Sequence, residues 1–119
     1  MLLQLTFTNK KEEIKMFEVT TRYPKYHRYG SYQTAWEALE GAMDVLERKS
    51  HATQLTWCGT NREFYEEVTG TTPTVDLTDE TWIIGDGDFF TVVERNATAD
   101  EIKLALQDIT RDIEIEEVE

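Results

Sequence analysis

Cys58, His27 and His51 are the residues whose types could support nucleophilic chemistry, because a thiol needs a nearby base to become the reactive thiolate. Nothing in their spacing brings them together, and a small half-buried residue closing a strand is the simpler reading of Cys58. Gly85-Asp86-Gly87-Asp88 sets two carboxylates two apart, as calcium loops begin, but Phe89 and Phe90 follow where an EF-hand would continue with oxygen donors. A hairpin turn accounts for the same residues, so no metal is expected there. The chain has no Walker loop, no dinucleotide fingerprint and no nucleophile elbow, and its Cys and His residues offer no zinc spacing. It therefore reads as non-enzymatic, with no catalytic residue and no cofactor.

The segment Arg22–Tyr32, RYPKYHRYGSY, interleaves Arg22, Lys25, His27 and Arg28 with Tyr23, Tyr26, Tyr29 and Tyr32. Rings set among cations are how single-stranded nucleic acid is held. Two other uses compete: the tyrosines pack on a sheet while the cations pair with the protein's own acids, or Arg and Tyr anchor a protein partner. The structural use ranks first, protein binding second and nucleic acid third, because of where the charge lies. Residues 1–60 carry eight Lys/Arg against seven Asp/Glu, or +1, and residues 61–119 carry four against seventeen, or −13. Such a field repels nucleic acid and lipid head groups and attracts basic surfaces.

The acids also have a pattern. Glu37, Glu40, Asp44 and Glu47 fall at helical spacing, and Glu63, Glu66 and Glu67 group on a short second helix, with Asp100, Asp108 and Asp112 further on. Together they are candidates for an acidic face of phosphate-like charge density that meets a basic protein partner. A solvated surface that keeps the protein soluble is the plain alternative for any one of them.

Several elements must position these residues. Leu3, Leu5 and Phe7 alternate with polar residues, as do residues 14–22, and predict a hairpin over residues 1–22. The Tyr-rich segment, broken by Pro24 and Gly30, reads as an exposed loop or irregular strand end. Thr34-Ala-Trp-Glu37 is a capping box opening a helix to about Lys49, with Ala35, Leu39, Ala42, Met43 and Leu46 inward. A strand over residues 52–58 follows, with Leu55 and Trp57 on one face. Asn61 caps a short helix that Gly70 stops, and Val75 and Leu77 suggest a short edge strand. Residues 81–94 are a hairpin turning at Asp86-Gly87. Thr98-Ala-Asp-Glu101 caps a closing helix with Ile102, Ala105, Leu106, Ile109 and Ile113 inward, and residues 114–119 are expected to fray.

The whole is one domain of 119 residues, enough for one real core. The fold class is α+β: a mainly antiparallel sheet of two hairpins and a central strand, with two longer helices and one short helix on one face. The amino terminus has no signal-peptide pattern and no apolar run is of spanning length, so a reducing cytoplasm is the expected compartment, a host's if the chain is phage-encoded.

In size, acidity and lack of catalytic signatures the chain resembles the small acidic proteins that phages use against restriction and CRISPR systems, although no motif carries the likeness. The resemblance implies a protein that inhibits a basic nucleic-acid-handling enzyme by mimicking nucleic acid. A nucleic-acid-binding module using residues 22–32 and a small enzyme or ligand-binding domain with a pocket near His27, His51 or Cys58 are the alternatives.

Overall fold

A computed structural model describes residues 15–22, 24–50 and 52–118. Their order is β1 (Met16–Thr21), β2 (His27–Tyr32), α1 (Ala35–Ser50), β3 (Gln54–Trp57), α2 (Arg62–Thr69), β4 (Thr81–Gly85), β5 (Phe90–Glu94), α3 (Ala99–Ile109) and β6 (Glu114–Val118). Among the described residues three helices pack with two three-stranded antiparallel sheets, in the orders β2-β1-β6 and β3-β4-β5, which is an α+β fold as expected. The first half of the hairpin expected over residues 1–22 lies outside the described residues. Its second half is β1, which pairs on one side with β2 and on the other with β6.

Alternation along the strands sets the layers. Phe17, Val19 and Ile115 of the first sheet and Ile84 and Val93 of the second share one core cluster with Leu39, Ala42 and Leu46 of α1 and with Ile102 and Leu106 of α3. Leu39, Ile84 and Leu106 have no exposed surface. Trp36 meets Trp82 edge to face at 5.3 Å across this core, and its buried Nε1 has no hydrogen-bond partner among the described residues. Ile83 points the other way, into a smaller cluster with Cys58 and Tyr65. The short helix α2 thus covers the face of the second sheet opposite α1 and α3, because Tyr65 and Phe64 need an apolar surface of their own.

Four local expectations are corrected. The Tyr-rich segment is mostly strand: the chain bends at Pro24 and Lys25, and β2 follows. Residues 114–119 do not fray as a unit, since Glu114–Val118 form β6, paired with β1 and anchored by buried Ile115. Ile113 is buried but not on the last helix, which ends at Ile109 with Thr110 as its cap. No strand forms at Val75 and Leu77. Val75 is exposed and Leu77 packs beside the second cluster.

Candidate functional site

The bulge in β2 decides what the Tyr-rich segment does. Val19 pairs with Gly30 but Thr20 with Arg28, so Tyr29 is the extra residue on its strand. One added residue reverses the side-chain alternation that follows it. Tyr29 and Tyr32 pack against the main core, while Arg28 turns to the outer face and reaches Glu18 at 2.9 Å. Arg22 meets Glu114 at 3.3 Å and also bonds Glu116, and Thr20 Oγ1 donates to the same Glu116 at 3.2 Å. His27 stands edge to face with Tyr29 at 4.5 Å, and the Lys49 ammonium lies 5.6 Å from the Tyr29 ring centre. Of the six partner residues expected here, Arg22 and Arg28 are engaged with the protein's own carboxylates, Tyr29 and Tyr32 with its core, and Tyr26 is exposed. Tyr23 lies outside the described residues.

The acids of α1 are placed differently. Glu37, Glu40, Asp44 and Glu47 are all exposed and form one stripe, because the helix buries Ala35, Leu39, Ala42, Met43 and Leu46 with Trp36, Ala38 and Val45. Thr34 Oγ1 accepts from the Glu37 N–H at 3.1 Å and donates to its carboxylate at 3.2 Å, which fixes the stripe's first member. Asp44 pairs loosely with Arg48 at 3.5 Å, both side chains being about 70% exposed. Glu40, Asp44 and Glu47 border a shallow groove whose other wall is Thr53, Gln54 and Leu55 at the start of β3.

On α2, Asn61 Oδ1 accepts from the Phe64 N–H at 2.9 Å and Gly70 ends the helix with φ of 74°. Glu63 and Glu67 are exposed, and half-buried Glu66 pairs with Arg62 at 3.2 Å. Asp100, Asp108 and Asp112 are exposed at and beyond α3.

Cys58 lines a pocket with Trp57, Thr60, Asn61 and Phe64 beside the second sheet. Burial pushes the Cys58 thiol above its ordinary pKa, and Sγ contacts the Asn61 carbonyl at 3.7 Å. His27 is on the other sheet, and His51 lies outside the described residues. Asp86 accepts the backbone N–H groups of Asp88 at 3.1 Å and Phe89 at 2.8 Å, so its carboxylate closes the turn, as Gly87 does with φ of 100°. Among the described residues no group of His, Cys, Asp and Glu is gathered as a metal site, and no helix is long and apolar enough to cross a membrane.

No protein-family model, curated protein or solved structure matches the chain.

One surface was missed from the sequence. Between α2 and the β4–β5 turn runs a groove of about 390 Å3, floored by Ile83 and walled by Val68, Thr69, Phe89 and Phe90. Phe89 is 69% exposed and Val68 46%. The signal was the pair Phe89-Phe90 after an Asp-Gly turn, of which only one ring can enter the sheet. Phe90 does so, against Tyr65 at 6.1 Å.

Proposed function

We propose that this protein acts by binding rather than by catalysis, and that it docks through its acidic helical surface on the nucleic-acid-binding surface of a basic protein, blocking it. The observation that carries this is the α1 stripe, four carboxylates exposed on one side of a core-anchored helix. At about 1.5 Å of rise per residue, Glu37 to Glu47 spans about 15 Å. That is one charge per ~5 Å, sparser than the ~3.4 Å of one DNA strand but of the same order. The stripe is preorganised, so little side-chain and backbone entropy is lost on docking compared with a flexible acidic tail.

The same reading supports inhibition of a nuclease of the restriction or CRISPR type, where the channel that holds nucleic acid is lined with Lys and Arg. The segment over residues 22–32 is not favoured as a nucleic-acid grip, since Arg22 and Arg28 face Glu114, Glu116 and Glu18.

The test is calorimetric titration of purified restriction and RNA-guided nucleases with this protein at low and high salt, using the wild type and the variant carrying Glu37→Lys, Glu40→Lys, Asp44→Lys and Glu47→Lys together. The expected result is binding to at least one nuclease that weakens steeply with salt and is lost in the variant. Binding unchanged by the four reversals, or none at low salt, would count against the reading.

A further inference from the structure

Exposed hydrocarbon and a surplus of acidic residues occur in the same stretch of the chain. On the first sheet, Lys15, Arg22 and Arg28 pair with Glu117, Glu114, Glu116 and Glu18. From residue 61 to residue 94 nine carboxylates stand against Arg62 alone, and Arg62 is paired with Glu66. This stretch carries α2 and the β4–β5 turn, and Asp88 of its acids lines the groove between them, with Phe89 and Val68 open to water at its walls. Apolar side chains at this exposure on a groove, rather than scattered singly, mark a contact surface. Gln54 on β3 lines both this groove and, on the other face of the second sheet, the shallow groove beside Glu40, Asp44 and Glu47.

Charge selects the occupant. Nucleic acid and anionic lipid are repelled by this half of the chain, and a second copy, itself at −12, is repelled as well. We propose that the groove between α2 and the β4–β5 turn receives one large apolar side chain projecting from a basic protein surface, whose Lys and Arg residues meet the acids around it. This rests on the reading of the protein as a binder of basic surfaces and adds the apolar anchor of that contact. Buried apolar anchors ringed by polar contacts carry most of the energy of such interfaces, so the groove supplies affinity and the acidic stripe supplies steering.

Two short Lys-rich peptides of equal charge test this, one with a single central Phe and the other with Ala in its place, titrated into the full chain and followed by amide NMR. The Phe peptide is expected to bind about tenfold tighter or more, the worth of one buried aromatic ring, and to shift the amides of Val68, Ile83, Gly87 and Phe89. Phe89→Ser with Val68→Ser is expected to abolish that preference and to leave the salt-sensitive binding of the Ala peptide as it was. Both positions are exposed, so the variant keeps its fold, and its unliganded spectrum verifies this. Equal binding of the two peptides, or shifts centred elsewhere, would overturn the groove and leave the acidic-binder reading standing. Failure of both peptides to bind at low salt would overturn both, and concentration-dependent shifts of these amides without peptide would assign the groove to a second copy instead.

Discussion

Tyr32 lies across α1 where Gly41 has no side chain. A Cβ at position 41 would overlap the Tyr32 hydroxyl oxygen and the ring carbons Cζ and Cε2, so the Tyr32 ring would have to move. Ala is otherwise the better helix residue by about 1 kcal/mol. Gly41→Ala is therefore expected to destabilise the protein when Tyr32 is present and to stabilise it by about 1 kcal/mol in a Tyr32→Ala background, a coupling that a double-mutant cycle in denaturant measures. The ion pairs divide in the same way. The Glu18 side chain is only 14% exposed under Arg28, so Arg28→Ala leaves a largely buried acceptor without its donor and is expected to cost about 1–3 kcal/mol. The Asp44–Arg48 pair is open to water, and Arg48→Ala is expected to cost about 0.5 kcal/mol or less. From the sequence, Arg22 and Arg28 were readable as cations wanting partners. The partners were not, because Glu114 is 92 residues from Arg22 and no local pattern links them.

At the scale of elements, what depends on neighbouring residues was legible and what depends on distant pairing was not. The Asn61 cap, the Gly70 stop, the Asp86-Gly87 turn and the Thr98/Glu101 capping box each form where their short motifs stand. Asn61→Ala is expected to cost about 1 kcal/mol by thermal unfolding, with its largest amide shifts along α2. In the capping box, Glu101 Oε1 accepts from the Thr98 N–H at 2.9 Å and from its hydroxyl at 3.0 Å, which holds the Glu101 pKa below the ordinary glutamate value. The stabilisation this gives is fully present above the ordinary value and fades as pH falls through the lower folded value. Glu101→Gln is expected to flatten that part of the acid-unfolding profile, and an unchanged profile would contradict the cap's role. The strand at Glu114–Val118 escaped notice because four glutamates in six residues are poor strand formers by propensity. Buried Ile115 and the long-range pairs to Arg22 and Lys15 override it. The β2 bulge was equally hidden, since register is a property of two strands together.

For the whole molecule, the α+β class followed from element order and type. The division into two sheets did not, because nothing local says that β1 sits between β2 and β6. The polarity of charge was visible from composition, but its consequence needed three dimensions: the basic segment answers the acids of the first sheet, while Glu37, Glu40, Asp44 and Glu47 of α1 and Glu63, Glu67, Asp76, Asp79 and Asp88 further on are exposed. That asymmetry is what makes binding to a basic surface the favoured account. The most direct measurement is displacement of a fluorescent duplex from a purified basic nuclease as this protein is added. The account predicts that the duplex is released in a saturable way, less effectively as salt rises, and that the variant with Glu37, Glu40, Asp44 and Glu47 all changed to Lys releases none. Retention of the duplex across restriction and RNA-guided nucleases at low salt, or release by the charge-reversed variant as by the wild type, would contradict it.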